Sequence, residues 1–313
     1  MDRTDRPPWI RPAATACLLA LVAGCATMGN PAARPLVPTG FKTRTGPYLV
    51  CTNARLDPEA PVIRQLQALE TQVGETLGLR VDVGDHPIEI YILDDRKAFE
   101  HFLTFYYPDL PHRRAFFLAN GTQRVVYTSF GDRLEEDIRH EATHALLNVA
   151  LGDIPLWLDE GLAEYFEGPA DRKGVNREHL DRLPGDLAGG WAPDLARLET
   201  LKSVRQMTRR DYRESWAWVH FLLEDTRAHK AALLAYLGDL RATPDAPPLS
   251  RRLEESARAP LLAHLARLRD NPVASRDSTV RLQSATAPEP VAPVAPLPKR
   301  RSFVGRLLGL FGP

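Results

Sequence analysis

The sequence is poor in cysteine, has no excess of charge of either sign and contains no long hydrophobic run. Its 313 residues include three cysteines, Cys17, Cys25 and Cys51, too few for a disulfide-dense scaffold. The 40 basic residues balance the 40 acidic ones, so we expect no nucleic-acid partner, because such proteins usually carry a positive field. No apolar stretch reaches the roughly 18 residues that a transmembrane helix needs.

Several catalytic motifs are also missing. The chain has no GxSxG elbow, no GxxxxGK loop and no GxGxxG after a predicted strand. Serine-hydrolase chemistry and nucleotide binding therefore lack support. The apolar content of 44% is nevertheless enough for a sizeable core.

Residues 1–24 have the layout of a secretory signal peptide, with three arginines before an apolar run at 13–23. The run ends in Leu-Val-Ala-Gly before Cys25, which resembles the bacterial lipobox. The resemblance implies a lipoprotein attached to the membrane by acyl chains on Cys25. Ala26 stands where some bacteria place a retention aspartate, which favours the outer membrane, facing the periplasm. An ordinary signal peptide with a chance cysteine is the alternative.

Proline-rich segments flank the middle of the chain. Residues 25–45 are rich in Pro, Gly, Thr and Ala, a composition typical of a flexible tether. Residues 273–313 form a Pro-rich disordered linker followed by a basic and apolar tail. That tail could lie on a membrane surface or remain unstructured. The folded domain is therefore expected at 46–272.

The pattern of apolar residues changes near residue 132. Before it, the pattern predicts strands and helices in mixture, at 48–51, 63–77, 88–93, 96–105, 115–119 and 124–127. After it, the pattern predicts helices alone, at 133–151, 156–167, 211–225, 229–241 and 251–269. Strands first and helices afterwards indicate an α+β fold, with a small mixed β-sheet followed by an all-helical half.

The most informative motif is His140-Glu141-Ala142-Thr143-His144, inside the predicted helix 133–151. Histidines four residues apart project from one helix face, so their ring nitrogens can converge on one metal ion. Glu141 can reach a metal-bound water without binding the metal itself. The alternative is a solvated charged helix face that happens to carry two histidines.

The next helix, 156–167, is rich in acidic residues. A hydrolytic zinc site commonly takes three protein ligands and a water, so two histidines leave one position to fill. Glu160 and Glu164 share a face, so one can bind the metal while the other orients a histidine ring. Asp159 points about 100° away, which favours capping or solvent contact without excluding it as the ligand.

His140 to His144 followed by WLDEGLAEYF resembles the gluzincin metallopeptidases, the superfamily of thermolysin and aminopeptidase N. Their HExxH motif precedes a glutamate on a later helix. The 15 residues between His144 and Glu160 are slightly fewer than those two families use, and this spacing is more like that of the compact peptidase-MA-like domains of bacterial envelope proteins. The resemblance covers 140–166, and only faintly 212–222. It implies a zincin-like domain whose metal-site helices lie in the helical half.

The resemblance also implies a role for each residue of the motif. His140, His144 and Glu160 would bind Zn²⁺, Glu141 would act as general base, and Glu164 would orient a histidine. These roles agree with the chemistry, because zinc acidifies water and polarises a carbonyl while a carboxylate moves the proton.

The related families also use a downstream tyrosine or histidine to stabilise the oxyanion. Tyr212 is the catalytic candidate here and His220 the second, with ordinary packing as the alternative for each. Other histidines, including His179, have no partner spacing and are predicted to be surface or core residues. An extended peptide is expected to pair with a sheet edge, formed by strand 115–119 or 124–128.

The sequence thus predicts a zinc-dependent metallopeptidase that acts on peptide or protein substrates and is tethered by a lipid. The alternative is a catalytically silent zincin-fold lipoprotein that serves as a binding or assembly factor of the cell envelope. The intact Glu141 favours the peptidase.

Overall fold

The computed structural model describes residues 36–110, 112–243, 245–253 and 257–270. Within these ranges, five short strands form one mixed sheet. The strands are β1 (Phe41–Thr45), β2 (Tyr48–Thr52), β3 (Ile88–Leu93), β4 (Phe116–Asn120) and β5 (Gln123–Ser129). Their order is β1-β2-β3-β5-β4. The two outer pairs are antiparallel, whereas β3 pairs in parallel with both β2 and β5.

Within the described residues, helices and short 3₁₀ turns supply the rest of the regular structure. Of these, the helices are α1 (Pro61–Leu77), α2 (Arg96–Tyr106), α3 (Leu134–Leu151), α4 (Leu156–Phe166), α5 (Arg177–Ala188), α6 (Leu195–Leu198), α7 (Arg209–Glu224), α8 (Arg227–Ala242) and α9 (Arg258–Asp270). No helix in these ranges has both the length and the hydropathy needed to cross a membrane.

Helices cover both faces of the sheet. Helix α1 begins at a proline, ends before Gly78 in the left-handed conformation (φ 65°), and buries residues spaced three or four apart. These residues join α3, α4 and α7 in the larger core cluster. The aromatic residues of α2 pack on the other face in a second cluster that includes Phe102, Phe116 and Tyr127.

Helix α4 lies between α3 and α7, and a glycine permits its approach to α7. A Cβ atom on Gly161 would lie 2.6 Å from the backbone oxygen of Ser215, closer than a non-bonded carbon can come. The neighbouring Trp157, Leu158 and Leu162 are fully buried. Packing on both sides therefore fixes the orientation of α4 and of its acidic residues.

The α+β class is confirmed, and helices follow β5 throughout the described residues. The predicted boundaries of α3, α4, α7 and α8 lie within two residues of the observed ones. The structure also decides between the two predicted sheet edges, because β4 is the edge strand and β5 lies inside the sheet.

Other predictions about the chain are wrong. The predicted tether extends to residue 45, but residues 41–45 form β1, which turns Lys42 and Arg44 outward along an edge. Helices α5 and α6 are not predicted at all. The predicted helix 251–269 is instead a 3₁₀ turn at Leu249–Arg251 followed by α9. Cys25 and residues 273–313 lie outside the described residues, so the predictions made for them stay predictions.

Candidate metal centre

The two histidines of the motif lie one turn apart on α3, where their rings converge. Their centroids are 5.0 Å apart. His140 is half-buried and His144 is buried. Glu160 of α4 is buried opposite them, and its Oε2 atom lies 3.7 Å from the Nε2 atom of each ring. The three side chains thus form a cluster that could hold a metal ion.

The separation of these atoms fits a tetrahedral ion. Zinc binds nitrogen and oxygen ligands at about 2.0–2.2 Å, and tetrahedral angles then separate two ligand atoms by about 3.3–3.6 Å. The 3.7 Å distances exceed that range only slightly. The three ligand atoms all lie within 4.8 Å of one another, close enough for one ion to lie among them.

The opposite nitrogen of each ring also faces a carboxylate. His140 Nδ1 lies 3.2 Å from Glu167 Oε2. His144 Nδ1 lies 3.0 Å from Asp159 Oδ1, which is within ion-pair distance. The two groups are not oriented as a hydrogen bond requires. A carboxylate at Nδ1 holds a metal-binding histidine in the tautomer whose Nε2 lone pair is free, and it orients the ring.

These carboxylates also shift the pKa values at the centre. Burial lowers the pKa of His144, but Asp159 and Glu160 together raise it by more, to about 9. Burial also lowers the pKa of His140, yet Glu160 and Glu167 bring it well above its usual value. Burial raises the pKa of Glu160, but His140 and His144 together lower it by more, to below its usual value. A metal ion that binds here must displace protons from the rings.

Glu164 contacts a histidine other than the predicted one. Its Oε2 atom lies 2.9 Å from His179 Nε2 and accepts a hydrogen bond of 3.3 Å from Asn176. An oxygen of Glu164 lies within 4.8 Å of a His140 nitrogen, but the carboxylate that touches the His140 ring is Glu167. The prediction that Glu164 orients a ring of the HExxH motif is therefore wrong, because α5 supplies a closer partner.

A cleft of about 1030 Å³ opens above the centre, and Glu141 and Tyr212 line it together with the three clustered side chains. Tyr212 lies near the start of α7, where Thr208 and Asp211 form a capping box that fixes the helix end. Burial and the negative charge of Glu160 raise the pKa of the Tyr212 hydroxyl. Tyr212 therefore stays protonated and able to donate.

His220 does not belong to this cleft. It is buried, and its Nδ1 lies 3.0 Å from Nε2 of His264 on α9. Of the two predicted oxyanion donors, the structure brings only Tyr212 to the centre.

Sequence reasoning missed the roles of Asp159, Glu167 and His179. Glu167 could have been found, because it lies seven residues after Glu160 and therefore on nearly the same helix face. His179 carries no comparable signal, since its contact with Glu164 depends on how α5 folds back.

Part of the chain matches a known family. Residues 136–245 are similar to a family described as "Protein of unknown function (DUF1570)". The matched region is about a third of the chain, and it contains α4 to α8 and both histidines of the centre. No curated protein matches the sequence.

Proposed function

We propose that this chain is a zinc-dependent peptidase of the gluzincin type, built on a zincin-like domain. The observation that carries the proposal is the approach of His140 Nε2 and His144 Nε2 to the same oxygen of Glu160, each at 3.7 Å. Glu141 and Tyr212 line the cleft above this cluster. Two histidines and one carboxylate are a common ligand set of hydrolytic zinc.

The residues of the cleft divide the chemistry among them. When bound, zinc would supply a Lewis acid that acidifies water and polarises a peptide carbonyl. The Glu141 carboxylate accepts the proton of the attacking water and passes it to the nitrogen of the leaving amine. The Tyr212 hydroxyl donates a hydrogen bond to the carbonyl oxygen as negative charge develops there.

The free edge of β4 is the proposed binding surface for the peptide backbone. Ala115, Phe117 and Ala119 line the cleft, and among the described residues β4 pairs with β5 alone. A substrate in extended conformation can therefore add to the sheet through backbone hydrogen bonds. The ring of Phe117 is stacked over that of His144, with 6.5 Å between centroids, so a peptide along β4 passes the metal centre.

Zinc analysis and peptide digestion test this function. We expect about one zinc per chain, lost in His144→Ala. Glu141→Gln should retain the zinc but cleave a mixed peptide library at least about 100-fold more slowly than the wild type. A zinc-loaded wild type that cleaves no more than Glu141→Gln would contradict the peptidase and favour the envelope binding or assembly factor.

We also propose that Cys25 carries the lipid anchor that holds the domain at the outer membrane, facing the periplasm. The signal-like sequence before Cys25 supports this. Metabolic labelling with palmitate should mark the wild type and not Cys25→Ser. Equal labelling of both chains would contradict the proposal.

A further inference from the structure

The cleft contains an arginine whose charge is not neutralised by the described residues. Arg113 lies just before β4 and lines the cleft. Its Nε atom is buried and has no hydrogen-bond partner, and no carboxylate of the described ranges forms an ion pair with its guanidinium. A guanidinium offers five donors, and leaving such a group unsatisfied costs free energy unless a ligand or water engages it.

Five of the seven acidic side chains that line the cleft are engaged with other groups, and the remaining two, Glu141 and Asp153, form no ion pair with Arg113 within the described residues. Four of the five have cationic or histidine partners at 2.7–3.2 Å: Asp137 with Arg114, Asp159 with His144, Glu164 with His179 and Glu167 with His140. Glu160 belongs to the metal cluster. The positive charge of Arg113 is therefore available to a substrate.

Arg209 adds a second guanidinium to the same cleft. It opens α7 three residues before Tyr212, so the two side chains share a helix face, and both line the cleft. Arg209 is exposed, and no ion pair or hydrogen bond within the described residues engages its guanidinium. A ligand in the cleft can thus meet Arg113 from the β4 side and Arg209 from the α7 side.

The position of Arg113 sets its distance from the reacting bond. It lies four residues before Phe117, the residue stacked over His144, and four residues span at most about 13 Å, a length that the bend at Arg114 shortens. Arg113 therefore meets a substrate group within about four residues of the bond that is cleaved.

We propose that Arg113, assisted by Arg209, binds a carboxylate of the substrate, so that this peptidase prefers peptides with a carboxylate near the scissile bond. Guanidinium and carboxylate match in charge and in planar two-pronged geometry. The carboxylate can be the C-terminus of the peptide or an Asp or Glu side chain. The inference rests on the proposed function, since it names the substrate class for that site.

Four matched pools of internally quenched octapeptides test the inference on the zinc-loaded full chain. Two pools carry Asp and Glu at the variable positions, and the other two carry Asn and Gln there. Within each pair, one pool has a free C-terminus and the other an amidated one. We expect the wild type to prefer at least one carboxylate-bearing pool over its neutral match by about 10- to 150-fold in kcat/KM. A preference that disappears on amidation identifies the C-terminal carboxylate as the group that Arg113 binds. A preference that disappears when Asn and Gln replace Asp and Glu identifies a side-chain carboxylate instead.

Variants assign the preference to Arg113. Arg113→Gln should abolish it, Arg113→Lys should retain part of it, and Arg209→Gln should reduce it less. Arg182→Gln, which removes an exposed arginine of α5 outside the cleft, should leave it unchanged. A wild type without preference, or an Arg113→Gln variant that keeps it, overturns the inference while cleavage itself still supports the peptidase.

Binding separates the two proposals. Fluorescence anisotropy with labelled members of the same pools is measured on Glu141→Gln, with and without Arg113→Gln. If no pool is cleaved by the wild type but carboxylate-bearing peptides bind in an Arg113-dependent way, the subsite stands and the peptidase does not. If peptides are neither cleaved nor bound, both are overturned.

Discussion

Asp159 Oδ1 lies 3.0 Å from His144 Nδ1, on the far side of the ring from the Nε2 atom that faces Glu160. Two consecutive residues of α4 thus engage the two nitrogens of one histidine. Glu160 belongs to the metal cluster, and Asp159 lies at ion-pair distance from the opposite nitrogen.

Loss of the Asp159 carboxylate should weaken metal binding without removing a ligand. We expect Asp159→Asn to lower zinc affinity by about 10- to 100-fold, because the ring loses the group that orients it and increases its basicity. Chelator competition measures the affinity. Asp181→Asn removes an exposed carboxylate of α5 and controls for the change in net charge. Equal affinities in the two variants would show that Asp159 has no such role.

The packing of α4 on α7 should depend on Gly161. Gly161→Ala places a Cβ atom 2.6 Å from a backbone oxygen that cannot rotate away. We expect it to lower the free energy of unfolding by about 1–3 kcal/mol, although alanine is the better helix former. Zinc affinity should fall as well, because α4 carries Glu160.

Urea unfolding measures the effect of Gly161→Ala, with Gly238→Ala as the matched control. Gly238 lies inside α8, and a Cβ atom there would meet nothing within 4 Å. That change should stabilise the chain by up to about 1 kcal/mol through helix propensity. A Gly161→Ala variant that also gains stability would refute the close approach of the two helices.

The ligand set was accessible to sequence reasoning because its geometry is local. Histidines four apart must share a face of α3, and Glu160 is the first glutamate of the next amphipathic helix. The ring partners were less accessible. Asp159 lies 100° from Glu160 around the helix, yet both reach His144, because the ring lies between them. That arrangement depends on the packing of α4 against α3.

The missed elements lack the usual patterns for physical reasons. Strand β1 follows a proline-rich segment, and its five residues include two basic ones, so its composition is close to that of a tether. Helix α5 contains Pro184 and Gly185, which are typical of loops. It is held by the burial of Leu180 and Leu183, a tertiary effect that overrides local propensity.

The buried pair of His220 and His264 should make stability depend on pH. Burial, followed by the charge of His264, lowers the pKa of His220 to about 3, and burial also lowers the pKa of His264. The unfolded chain takes up a proton at His220 below about pH 6.5, while the folded chain remains unprotonated there. The free energy of unfolding should therefore fall as pH falls from about 6.5 toward 3, by up to about 1.4 kcal/mol per pH unit for His220.

Replacing His220 isolates its contribution to that slope. His220→Phe keeps a ring between Trp216 and Tyr165, which flank His220 at 5.5 and 5.8 Å between centroids, but it cannot take up a proton. It loses the hydrogen bond to His264, so its stability at pH 7 should be lower. Its stability should nevertheless fall less steeply toward acid than that of the wild type. His101→Gln, at an exposed position of α2, should keep the wild-type slope. If the slope of His220→Phe between pH 6.5 and 4 equals that of the wild type, His220 is not the residue that destabilises the folded chain in acid.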